Sequence, residues 1–138
     1  MLCLATTIYF EARNQPLRGQ LAVAQVVLER THDPRYPNSV CGVVTAGGED
    51  LNRCAFSLYC DGKSDTPTNT QAFLIAQWIA AGALWGLLSD VTGHATHYHA
   101  SFVRPVWAST MRPTTTIGDH IFYREAPRTT DQTENKTN

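Results

Sequence analysis

The sequence predicts a mostly helical α+β domain with a small antiparallel β-ribbon near its C-terminal end. Apolar residues recur at helical spacing through most of the N-terminal two thirds of the chain. Two short segments further on are aromatic and β-prone. A chain of 138 residues has room for one domain. We place this domain at residues 1–126 and expect the polar segment 127–138 to be disordered.

The first predicted helix covers residues 4–13 and carries the most interesting acidic residue of the chain. Leu4, Ile8 and Glu11 are spaced by four and three residues, so their side chains share one face of that helix. Pro16 then suits the first turn of a new helix rather than the interior of the old one.

The strongest helical pattern follows over residues 17–31, and its apolar content predicts a central, nearly buried helix. Ser39 can cap a short helix over residues 40–44, and helical spacing resumes over residues 68–88. One predicted face of the central helix consists of Leu17, Leu21, Ala24 and Leu28, widened by Ala22, Val23, Val26 and Val27.

Beyond the helices, residues 96–101 and 121–124 are expected to pair as the antiparallel ribbon. Residues 47–62 form a long irregular stretch, and a loop of this length in a small domain is more often functional than idle.

The four cysteines are not arranged in a CxxC pair, so a structural zinc site is not expected. Cys3 lies in the first helix, where it can be a plain buried thiol. One disulfide is plausible among Cys41, Cys54 and Cys60, although the sequence does not choose the pairing. Such a bond would imply an oxidising compartment.

Composition argues against several classes of function. The formal net charge of -1 gives no basic field that would attract nucleic acid. The chain has no apolar run of the roughly 18 residues that membrane insertion requires. Its first residues show neither a basic region nor a cleavage site typical of a signal peptide. We expect a monomer that uses no cofactor and no metal.

Glu11 is the predicted catalytic residue. It lies on an apolar helix face and near the helix C-terminus, where the negative end of the macrodipole disfavours a carboxylate. Burial and the dipole would both raise its pKa. A carboxyl group that holds a proton near neutral pH can act as a general acid. Arg13 is two residues away and could fold back to cancel part of this shift.

Three histidines, His94, His97 and His99, raise the alternative of a metal site. On a strand His97 and His99 face the same side, and zinc would need a third ligand such as Asp61, Asp119 or His120. The competing interpretation is a hydrogen-bonded strand that lines a cleft. The side chains expected to bind substrate in such a cleft are Phe56, Ser57, Thr96, Tyr98, His99 and Tyr123.

Six segments, in this order, resemble the SleB-type cell wall hydrolases, a family that includes spore-cortex-lytic enzymes. The match spans roughly residues 4 to 124, and six segments in order at compatible spacing are a strong signal. The segments are TIYFEAR (7–13), GQLAVAQVVLER (19–30), YPNSVCGVV (36–44), CAFSLYCDG (54–62), ATHYHA (95–100) and IGDHIFYR (117–124). The chain departs from the family pattern at Phe10, Val91 and His94.

The resemblance implies a lysozyme-like fold and cleavage of peptidoglycan glycan strands between N-acetylmuramic acid and N-acetylglucosamine. It implies lytic transglycosylation, with Glu11 as the single acid/base and 1,6-anhydro-muramic acid as the product end. We expect the site of action to be the periplasm or cell wall, and the lack of a recognisable signal peptide or wall-binding module fits a phage-encoded lysin made in the host cytoplasm.

Three alternatives remain. A hydrolytic muramidase would pair Glu11 with a second carboxylate such as Asp61, at about 5 Å for retention or roughly 6.5–9.5 Å for inversion. A zinc-dependent amidase would use His97 and His99. A glycan-binding module without activity would release no product at all.

Overall fold

The computed structural model describes residues 1–47 and 54–125, which form four α-helices and one three-stranded antiparallel sheet. It confirms the predicted mostly helical α+β class. Two parts of the chain lie outside the described residues. They are residues 48–53 of the long irregular stretch and residues 126–138, which include the predicted tail. The elements are α1 (Leu2–Ala12), α2 (Leu17–Thr31), α3 (Val40–Val44), α4 (Thr70–Leu84), β1 (His97–Ala100), β2 (Arg112–Ile117) and β3 (His120–Arg124), with 3-10 turns at Ser57–Tyr59 and Val106–Thr110.

Helix α2 has the bounds that the sequence predicts and connects two hydrophobic cores. Ala24 and Val27 belong to the core shared with α1, α3 and α4, whereas Ala22 and Val26 pack under the sheet. Leu17 departs from the prediction, because its side chain is 63% exposed. Apart from one glycine and one glutamine, the buried residues of α2 are instead alanine and valine, whose small side chains let neighbouring elements approach from two sides.

Helix α4 begins and ends a few residues inside the predicted range for identifiable reasons. The Tyr9 hydroxyl accepts the backbone N–H groups of Thr68 and Asn69, at 3.2 and 3.0 Å. The Asn69 side chain then caps the helix by accepting a hydrogen bond from the backbone N–H of Ala72. At the other end Gly86 adopts a left-handed φ of 69°, which terminates the helix. None of the described helices is long and apolar enough to cross a bilayer.

The sheet has the order β1-β3-β2, and its β1–β3 pairing confirms the predicted ribbon. His97 lies opposite Tyr123, and Tyr98 lies opposite Phe122. The sequence did not predict β2, because Pro113 and a run of threonines hide the alternating pattern. The pairing of β2 with β3 is also irregular between Pro113 and Thr115.

The disulfides correct the prediction for Cys3. It is not a plain thiol but bonds to Cys41, and this bond joins α1 to α3 across 38 residues of sequence. The packing of those two helices in one core brings the cysteines together, which spacing alone does not reveal. The second bond joins Cys54 to Cys60, within the trio that the sequence singled out.

Candidate active site

Glu11 is the penultimate residue of α1, and its carboxylate is partly buried where the helix meets the sheet. The Tyr98 hydroxyl donates a 2.5 Å hydrogen bond to Glu11 Oε1. Burial raises the pKa of Glu11 above its ordinary value, and the hydrogen bond from Tyr98 offsets only part of that rise. The side chain is therefore a carboxyl group with increased proton affinity, as the apolar helix face predicted.

Tyr98 reaches Glu11 because its side chain leaves β1 on the side that faces the helices. It is a cross-strand neighbour of the fully buried Phe122, and its ring centroid lies 4.9 Å from that of His120. Burial and the neighbouring Glu11 raise the pKa of Tyr98 well above its usual value. The hydroxyl therefore keeps its proton and acts as a fixed donor to the carboxylate.

Arg30 lies beside the strand that carries Tyr98, and the sequence did not predict a role for it. Its Nε donates a 2.7 Å hydrogen bond to the carbonyl oxygen of Thr96, the residue before β1. Its guanidinium lies 5.0 Å from the Tyr36 ring centroid and 5.8 Å from that of Phe56. Burial lowers the pKa of Arg30. Arg30 ties α2 to the strand that carries Tyr98, and the available signal was a cation in the last turn of an apolar helix.

The other charged residues considered beside Glu11 have different partners. Arg13 Nη1 donates to the Tyr9 carbonyl at 3.1 Å, and its guanidinium lies over the Tyr9 ring. Asp61 is exposed, and its Oδ1 accepts the backbone N–H of Lys63 at 2.9 Å, which is the geometry of a turn.

The opposite face of the sheet carries an aromatic cluster of His97, His99, Trp107 and Tyr123, which we call the outer cluster. His99 Nε2 lies 2.8 Å from the Tyr123 hydroxyl, and its Nδ1 lies 2.7 Å from the Ala100 carbonyl. Both histidine rings pack on Trp107, with centroids 5.1 and 5.6 Å away. Burial, followed by the charge of Arg30, lowers the pKa of His97 to about 4. His97 and His99 thus share a side, as predicted.

The six predicted substrate-binding side chains do not form one patch. Tyr98 contacts Glu11, whereas His99 and Tyr123 belong to the outer cluster. The hydroxyl of Thr96 lies 2.9 Å from His97 Nδ1. Phe56 and Thr96 are almost fully buried, and Ser57 is exposed at the start of a 3-10 turn.

A cavity of about 940 Å³ lies elsewhere, beside the end of α2 and the ends of β2 and β3. Glu11 is not among its lining residues. Opposite charges pair along its wall, since Arg35 contacts Glu125 at 3.2 Å and His94 contacts Glu29 at 2.8 Å. Across residues 1–47 and 54–125, no three His, Cys, Asp or Glu side chains converge as metal ligands. The wall of this cavity therefore carries charges of both signs.

Comparison with known proteins gives consistent matches. The model of the cell wall hydrolase family matches residues 14–123. The spore cortex-lytic enzyme of Halalkalibacterium halodurans is 34% identical over 121 residues, which cover 86% of this chain and 33% of that protein. The enzyme of the same name from Bacillus cereus is 32% identical, with coverages of 86% and 42%. The chain thus spans a third to two fifths of the length of these relatives.

Solved structures match over nearly the whole described fold. The catalytic domain of the germination-specific lytic transglycosylase SleB from Bacillus anthracis has a TM-score of 0.71 and 31% identity, covering 88% of this chain and 91% of that one. The SleB catalytic domain from Bacillus cereus gives 0.66 and 30%, with coverages of 88% and 86%. With its mostly helical fold, its three-stranded sheet and its family match, this chain belongs to the cell wall hydrolase family.

Proposed function

We propose that this protein cleaves the glycan strands of peptidoglycan by lytic transglycosylation, with Glu11 as the catalytic acid/base. The observation that carries the proposal is the partly buried carboxyl group at the end of α1, which has a raised pKa and a tyrosine donor fixed on one oxygen. The similarity to SleB catalytic domains supports the same reaction.

In the first step, the protonated Glu11 donates its proton to the oxygen that links N-acetylmuramic acid to N-acetylglucosamine. The bond between that oxygen and the muramic C1 breaks, and the leaving sugar keeps the electron pair and the proton. A raised pKa favours this step, because it keeps Glu11 in the acid form at higher pH.

In the second step, the ionised Glu11 accepts the proton of the muramic 6-hydroxyl while that oxygen bonds to C1. A 1,6-anhydro ring closes, and Glu11 returns to its acid form. Tyr98 supports this step, since a hydrogen bond to the carboxylate stabilises the ionised form between the two transfers.

The reaction needs one carboxyl group and one copy of the chain, because Glu11 and Tyr98 come from the same chain. We propose the periplasm or cell wall as the site of action, where the substrate lies, and the two disulfides are compatible with such an oxidising compartment. A phage lysin is one setting that would deliver the protein there.

Mass spectrometry of digested wall tests the reaction. We expect fragments that end in 1,6-anhydro-muramic acid, and these are lighter by one water than hydrolysed fragments. Reducing muramic ends would identify a hydrolytic muramidase instead. Free stem peptides on intact glycan strands would identify an amidase.

A further inference from the structure

Helix α4 has its largest apolar side chains on the surface. The side that packs against α1 and α2 is made mainly of small residues, with Ala76 and Ala80 fully buried. On the opposite side Trp78 is 73% exposed and Trp85, at the C-cap, is 79% exposed. Surface helices of globular proteins normally show the reverse arrangement, with polar residues outside.

The side chains on this outward-facing side are regularly spaced, and all but the half-buried Ala81 are exposed. Leu74, Trp78, Ala81 and Trp85 are separated by four, three and four residues, which is the a/d spacing of a helix–helix seam. We call these four residues the α4 seam. No charged residue occurs between Asp65 and Asp90, so nothing on this segment would repel an apolar partner helix.

We infer that the α4 seam is a dimer interface in which α4 packs antiparallel against α4 of a second copy. The order of large and small residues makes the seam complementary to itself. About a two-fold axis midway between positions 79 and 80, Trp78 faces Ala81 of the partner subunit. Leu74 then faces Trp85 of the partner subunit, and a two-fold axis repeats both contacts.

The available area suits a weak but specific dimer. Aromatic side chains can bury ~150–250 Å² each, so two exposed tryptophans with neighbouring leucines offer on the order of 600 Å² per copy. Two copies would then bury about 1,200 Å² in total, the lower end of the range for stable interfaces. Trp78 and Trp85 would be the dominant contacts, as tryptophans commonly are.

A second copy fits better than an anionic membrane surface. Helices that bind anionic lipid carry lysine and arginine beside their apolar face, and residues 66–89 contain neither. The dimer would replace the monomer expected from the sequence. It leaves the proposed chemistry intact, because the α4 seam faces away from α1, which carries Glu11.

Sedimentation velocity of the oxidised full chain over a range of concentrations tests this inference. We expect the mass to rise from 15.3 kDa toward twice that value. Trp78→Glu should weaken dimerisation by roughly 30-fold or more, because the substitution occurs twice in each interface. Ala81→Trp should do the same, because it fills the space that Trp78 of the partner subunit needs.

Leu17→Glu is the matched control, since Leu17 is an exposed helical leucine outside the α4 seam. It should leave the dimer unchanged, and circular dichroism should show native folds for all three variants. A single monomer mass at every concentration would overturn the inference. A dimer that survives both seam variants would also overturn it, as would a monomer that binds neutral phosphatidylcholine vesicles through its tryptophans.

Discussion

The two faces of strand β1 differ in what their polar groups can do. On the inner face Tyr98 donates to Glu11, a carboxyl group whose pKa is raised by burial. On the outer face the two nitrogens of His99 are matched to Tyr123 and Ala100. Adjacent residues of one strand thus contact a carboxyl group of raised pKa on one side and form an aromatic cluster, in which both nitrogens of His99 have partners, on the other. A cluster of histidines in sequence is therefore weak support for a metal site.

The largest expected effect comes from Glu11→Gln, which removes the proposed proton donor of the inner face. We expect the rate of glycan cleavage to fall by about 10²- to 10⁴-fold, the range for general acid/base groups. Release of soluble fragments from purified wall measures this rate.

The same substitution should not unfold the protein. Because the pKa of Glu11 is higher in the folded than in the unfolded protein, the folded protein loses stability as pH rises from the unfolded-state pKa through the folded-state pKa. Glutamine removes that loss, so the melting temperature should stay level or rise above this window. Glu29→Gln on α2 is the matched control and should keep its activity. A Glu11→Gln variant with near-normal rate would contradict the assignment.

Tyr98→Phe should have the next largest effect, a loss of about 10-fold in kcat/KM, which corresponds to a hydrogen bond to a charged group. Because this hydrogen bond lowers the pKa of Glu11, its removal should shift the alkaline limb of the pH–rate profile to higher pH. A lower rate with an unshifted limb would mean that Tyr98 acts through packing alone.

Tyr123→Phe is the corresponding change on the outer face. It removes the hydroxyl that contacts His99 and should cost about 1 kcal/mol of unfolding free energy, as a typical hydrogen bond does. Activity should stay within about 2-fold of the parent protein, since this cost is structural. Urea denaturation and the cleavage assay, run on the same preparation, separate the two effects. A 10-fold loss of activity without destabilisation would place Tyr123 in the reaction.

Chelation should have the smallest effect. If the outer cluster is an aromatic packing element, then dialysis against EDTA changes neither cleavage nor melting temperature. Loss of activity that zinc restores would instead assign His97 and His99 to a metal centre.

The helices could be predicted from sequence because their apolar spacing is strong, as the bounds of α2 show. Strand β2 could not, because Pro113 and its neighbouring threonines carry no alternating signal. The Cys3–Cys41 bond depends on how α1 packs against α3, which is a tertiary property.

The candidate site, like the fold, could be predicted only where the signal is local in sequence. The raised pKa of Glu11 follows from its apolar helix face, a local pattern. Its partner Tyr98 and the anchoring Arg30 depend on contacts across 87 and 66 residues of sequence. The prediction that Tyr98 and His99 both line one cleft neglected strand alternation, which places adjacent side chains on opposite faces of the sheet.

The most direct measurement is an NMR titration of the Glu11 carboxyl carbon in the folded protein. We expect a pKa above the ordinary 4.5, a further rise in Tyr98→Phe, and a cleavage rate that falls as pH increases through the same value. A pKa at or below 4.5, or a pH–rate profile independent of it, would contradict the claim that burial prepares this carboxyl group as the acid.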